Sequence, residues 1–184
     1  MPPALPIMAG MTSNRRAAAV VAAALGAATG CSPELNWREV RPEAATLVAL
    51  LPCKPDRQTR AIPLAGVEVP MEVLGCSAGG TTWAVATADV GDRARVAPAL
   101  TGLRAARTRN LAGREGEARP AEVAGAEPGA LRLTVEGHRP DGTPVRERAV
   151  LFAAGTRVFH AAALGGEPSA EALEVFFGGL KLAR

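Results

Sequence analysis

The stretch "VRERAVLFAAGTRVFHAAAL", Val145 to Leu164, decides the fold. Two apolar runs of strand length meet at Ala154 and Gly155, which reads as a β-hairpin. Downstream, Ser169 can cap a helix in which Leu173, Phe176, Phe177 and Leu180 make one apolar stripe. Upstream, "LRLTVEGH" alternates Leu131, Leu133 and Val135 with Arg132, Thr134 and Glu136, and "PDGTP" supplies the turn into the hairpin. The C-terminal half is therefore three antiparallel strands closed by a helix.

The other half is also rich in strands. "WREVRP" is a brief strand around Trp37 and Val40, and "ATLVALLP", Ala45 to Pro52, is apolar on both faces and placed centrally. "RQTRAIPLAG" and "VEVPMEVLGC" form a hairpin through Ala65 and Gly66. In the second strand Val67, Val69, Met71 and Val73 are inward and Glu68 and Glu72 outward, and Pro63 and Pro70 push both strands towards an edge. "SAGG" turns the chain into "TTWAVATADV", where Trp83 and Val85 share a face with Thr81 and Thr87. From Asp92 to Leu111 the period changes: Val96, Leu100, Leu103 and Leu111 fall near helical spacing, with Asp92 as N-cap and Gly113 as terminator. Arg114 to Pro128, rich in Gly, Ala, Glu and Pro, is at best an irregular edge strand and its loop.

Helices covering an antiparallel sheet make an α+β domain, here with a long central helix and a C-terminal helix. The succession from "VLFAAGTRVFHAAAL" to "ALEVFFGGLKL" resembles the C-terminal half of the PsbP-like sandwich, and the likeness extends over residues 37–182. That superfamily holds the photosystem II extrinsic protein and the Mog protein that binds Ran. It is mostly one of binding and assembly modules, so the resemblance implies no catalytic residues. The lack of any Tyr departs from its pattern. Fold likeness alone does not assign function.

The N-terminus reads as an address. Ser13-Asn14-Arg15-Arg16 precedes an apolar run from Ala17 to Leu25, and small residues lead to Cys31, the order of a secretory signal. Ala17 to Gly30 is 14 residues, against the roughly 20 that span a bilayer. "ATGC", Ala28 to Cys31, resembles a bacterial lipobox. The resemblance implies lipidation of Cys31 after a 1–30 signal peptide, a lipidated tether over 31–36 and one domain over 37–184. Ordinary signal cleavage and an uncleaved anchor are the alternatives. Ser32 is not the aspartate that resembles an inner-membrane retention signal, so the periplasmic face of the outer membrane is expected, ahead of an inner-membrane or soluble periplasmic location. Translation starts at Met1, Met8 or Met11, with Met11 favoured.

Removing residues 1–30 leaves 154, enough for one core, and balances the charge at 19 basic against 18 acidic side chains. A near-neutral domain is no nucleic-acid binder of the basic-face kind. Cys53 and Cys76 remain, an even pair that reads as a disulfide in an oxidising compartment.

Sites of chemistry are sparse. His138 reads as a loop histidine beside "RPDGTP", and His160 as a solvent-facing or hydrogen-bonded strand residue; two histidines do not make a metal centre. There is no nucleophile elbow, P-loop or dinucleotide fingerprint, so no cofactor is implied. The uneven feature is seven arginines between Arg93 and Arg119, facing Asp92, Glu115 and Glu117. Arg104, Arg107 and Arg109 are thus the candidate contacts for an envelope protein or a lipid headgroup, the alternative being a solvated helix face. The expectation is a lipid-anchored, non-enzymatic binding or assembly accessory of the cell envelope. The alternative is a periplasmic ligand-binding protein or enzyme whose site is scattered in sequence.

Overall fold

The computed structural model describes residues 34–43 and 45–183. The signal segment and Cys31 lie outside the described residues. The order is β1 (Arg38–Val40), β2 (Leu47–Leu51), β3 (Asp56–Leu64), β4 (Val67–Ala78), β5 (Thr81–Asp89), α1 (Val96–Asn110), β6 (Arg114–Pro120), β7 (Leu131–His138), β8 (Pro144–Ala154), β9 (Arg157–Leu164), α2 (Ala170–Gly178) and β10 (Lys181–Leu182). Every pairing between these strands is antiparallel, and with two helices the domain is α+β.

The main sheet runs β3-β4-β5-β9-β8-β7-β6, and a small one runs β1-β2-β10. The β8–β9 hairpin joins the two halves: β9 pairs β5 on one side and β8 on the other. Its turn is Gly155 and Thr156, one residue later than the sequence reading. Gly155 has φ +62°, which suits the first position of a tight hairpin turn. Ala65 and Gly66 both take positive φ between β3 and β4, a turn geometry matched to strand twist.

Both faces of the central strands are covered. On one face α1 packs Ala99 and Leu103 against Leu133, Val135, Ala149, Leu151 and Val158, an aliphatic core. On the other, β2 and α2 pack Leu47, Leu51, Phe176 and Phe177 against Leu74, Trp83, Val85, Phe152 and Phe159. Every aromatic side chain of the protein belongs to this second core, including half-buried Trp37.

Four expectations are corrected. The span from Asp92 to Leu111 is a short 3-10 turn, Arg93–Arg95, followed by 15 residues of α-helix, so α1 is no long helix. The Asp92 carboxylate accepts the Ala94 N–H at 2.8 Å and caps the 3-10 turn rather than α1 itself. β4 is not an edge strand. Pro70 is tolerated because pairing to β5 begins at Met71, so its missing N–H removes no bond on that side. Glu72 is buried rather than solvent-facing, since the face it shares with Leu74 is covered; its carboxylate accepts the Glu43 N–H at 3.1 Å and pairs with Arg57. β2 is central as expected, but in the small sheet.

Cys53, just after β2, is disulfide-bonded to Cys76 in β4. The bond ties the small-sheet layer to the main sheet across 23 residues of chain. On the chain-entropy relation, replacing both cysteines by Ala should lower the unfolding free energy by about 3 kcal/mol, read by urea denaturation. A loss under about 1 kcal/mol would mean that the layers hold without it.

Candidate functional site

Strand alternation carries one patch of side chains onto the part of the sheet at the margin of α2. In β8 Val150 and Phe152 face the aromatic core while Ala149 and Leu151 face α1. Arg146 and Arg148, in step with Val150, therefore stand on the aromatic-core side. The register brings Arg148 opposite Thr134, Arg146 opposite Glu136, Arg119 opposite Arg132 and Arg114 opposite Glu136. Five arginines of β6, β7 and β8 thus share one quadrant of a sheet face.

The quadrant has three depressions, one of them a hollow of about 220 Å³ walled by Arg119, Arg132, Glu174 and Phe177. A groove of about 590 Å³ is bordered by Arg114, Glu136, His138, Arg146 and Glu167. A smaller cleft of about 170 Å³ is walled by Arg119, Arg132, Arg148, Glu117, Thr134 and Leu173. Between them the charges form a chain. Arg114 lies 3.4 Å and Arg146 3.1 Å from the Glu136 carboxylate. Arg148 lies 3.0 Å from Glu167, and Arg132 2.9 Å from Glu174 of α2. Arg132 also sits 4.6 Å above the Phe177 ring, a cation–π contact that fixes its stem. The side chains of Glu167 and Glu174 are 77% and 69% exposed. Such surface pairs contribute about 0–1 kcal/mol each, so these carboxylates are easily displaced.

The floor of this region is fixed by close backbone approach. The His138 N–H donates to Leu111 O at 2.7 Å. A Cβ on Gly137 would overlap that carbonyl, and one on Gly113 would overlap Glu136 O, so the turn after α1 seats only against glycines.

Of the helix arginines, Arg104 makes a two-point pair with Glu115 of β6, with its Nε 2.6 Å from Oε2. The Arg104 guanidinium holds the Glu115 carboxyl below the usual carboxylate range. Arg107 reaches under α1 to Glu147, its Nε 3.5 Å from Oε2, a charge contact without hydrogen-bond geometry. Arg109 is exposed in the last turn of α1. The structure thus brings Arg104 and Arg107 to the sheet, while the cluster on the open face joins Arg114 and Arg119, the last two of the arginine-rich segment, to Arg132, Arg146 and Arg148, which the sequence reading did not single out. Arg132 lies in β7 and Arg146 and Arg148 in β8, and their only sequence signal was the polar half of each alternation.

His160 is buried beneath α1, its Nε2 3.0 Å from Glu147 Oε1. Glu147 is 2% exposed. Burial works against its ionised form, but the hydrogen bond from His160 and the charges of His160 and Arg107 outweigh it and hold the carboxyl below its ordinary range. Asp89 accepts the Gly91 N–H at 2.9 Å and pairs with Arg157 at 3.2 Å. Among the described residues no three His, Cys, Asp or Glu side chains converge as a metal site would require. The chain matches no protein-family model, and no match is found among curated proteins.

Because the folded Glu147 carboxyl titrates below its unfolded value, its stabilisation is complete above the unfolded pKa, about 4.3, and is lost as pH falls through the folded one. Glu147→Gln should cost about 2–3 kcal/mol at pH 7 and flatten the acid limb of stability, measured by urea denaturation across pH 2–7. An acid limb as steep as the parent's would show that Glu147 is not held ionised.

Proposed function

We propose that the protein is an exported, lipid-anchored binding or assembly accessory of the cell envelope, held through Cys31 at the periplasmic face of the outer membrane. The observation that carries the binding role is the arginine-bearing quadrant of the main sheet. Elsewhere this sheet face lies under α2 and the small sheet; here it carries five cations whose partners are largely exposed carboxylates. Arginine suits two-point contact with phosphates and carboxylates, so the face fits an anionic partner. Arg109 is exposed on α1, which packs on the opposite face of the sheet, and Arg104 and Arg107 act mainly within the fold.

Export is supported by the signal-like residues before Cys31 and by a disulfide of the kind that oxidising compartments sustain. No helix among the described residues is long and apolar enough to cross a membrane. The layer order, a helix on one face of an antiparallel sheet and a helix with a small sheet on the other, supports the likeness to the PsbP-like sandwich. A catalytic reading has less to stand on. His160 and Glu147 are closed in beneath α1, and Asp89 is held by Arg157 and a backbone amide. The groove beside His138 is the place a small ligand would occupy if the alternative held.

Intact mass of the membrane-fraction protein tests the anchor. A chain beginning at Cys31 with added acyl mass, absent in Cys31→Ser, is expected. An unmodified chain that still carries residues before Cys31 would overturn both the anchor and the export.

A further inference from the structure

We infer that the cleft between β6, β7, β8 and α2 is a binding site for a phosphate-class oxyanion, a phosphomonoester or phosphodiester group gripped by Arg119, Arg132 and Arg148. This deepens the binding-module reading and rests on it for the choice of face.

Three observations meet there. Arg119 and Arg132 are directly opposed across the β6–β7 ladder. Like charges in that position repel, so the pair calls for an anion between them. Arg148 stands opposite Thr134, two residues along β7 from Arg132, a diagonal that long side chains bridge. Three arginines therefore wall a cleft whose lining contains one carboxylate residue, Glu117.

Two of the cations are already oriented. The Arg132 and Arg148 side chains are only 20% and 16% exposed, and Arg132 is fixed over Phe177. Much of the entropy of ordering them is therefore lost on folding rather than on binding. Their present partners, Glu174 and Glu167, are single exposed carboxylates, and Glu117 stands 3.9 Å from Arg119. An oxyanion with several acceptor oxygens would replace weak one-point contacts by shared multi-point ones. The cleft, about 170 Å³, holds one such group and no large organic ligand.

The test uses the full chain with Cys31→Ser, so that the lipid plays no part. Inorganic phosphate is titrated calorimetrically at constant ionic strength, and sedimentation with phosphatidylcholine vesicles is compared with and without phosphatidylglycerol. Saturable one-site phosphate binding is expected, weakened at least tenfold by Arg132→Ala or Arg148→Ala and less than twofold by Arg60→Ala on the far edge strand. Glu167→Gln with Glu174→Gln should tighten binding several-fold, a gain that misfolding does not produce. Arg148-dependent sedimentation with the anionic vesicles, with or without free phosphate binding, assigns the group to a lipid headgroup. Phosphate binding without such sedimentation assigns it to a soluble phosphate compound. No binding of either probe, or binding that the Arg132 and Arg148 variants leave within twofold, overturns the site. A negative result here leaves the Cys31 mass measurement untouched, so the two readings fail separately.

Discussion

The contact of Trp83 with Phe176, ring centroids 5.2 Å apart and nearly edge to face, is what the layering depends on. Trp83 lies in β5 at the middle of the main sheet, is 1% exposed, and donates its indole N–H to Ala78 O at 3.2 Å. Its other neighbour is Trp37, at 5.8 Å, just before β1. One side chain thus gathers the main sheet, the helix that ends the chain and the segment that begins the domain. Aromatic pairs of this geometry add about 0.5–1.5 kcal/mol beyond the area they bury.

With the aromatic residues concentrated on one face, the other is left to alanine, valine and leucine under a single 15-residue helix. α1 is held there by charge as well as by packing, since Arg104 and Arg107 reach Glu115 and Glu147 in two different strands. The aromatic side extends as far as β2 and α2 reach, to Val150 and Phe152 in β8. Beyond them the same face of the same strands carries arginine. The boundary between core and binding face therefore falls within β8, between Arg148 and Val150.

Much of this was legible in the sequence. Strand alternation, Gly-containing turns and the change of period after Asp92 are local signals, and among the described residues they gave eight of the ten strands and both helices, with β6 read as at best an irregular edge strand. β10 was missed because two residues carry no period; it forms only because α2 delivers Lys181 and Leu182 to β2. Glu72 was misread because alternation assumes one wet face, and this sheet has two covered ones. Of the arginine cluster, Arg114 and Arg119 fell in the arginine-rich segment, but Arg132, Arg146 and Arg148 were missed because the cluster is assembled by register on three strands. Local charge density pointed instead to α1, where two of the three arginines named serve the packing of helix on sheet.

The central claim is that the open quadrant of the sheet, rather than the arginine-rich helix, is the face that meets an anion. Arginine Nε–Hε resonances, assigned by NMR and followed as phosphate is added at constant ionic strength, test it most directly. The account predicts saturable shifts at Arg119, Arg132 and Arg148 with a common midpoint, and none at Arg104, Arg107 and Arg109. Shifts confined to the three helix residues, or a weak drift shared by every arginine, would contradict it.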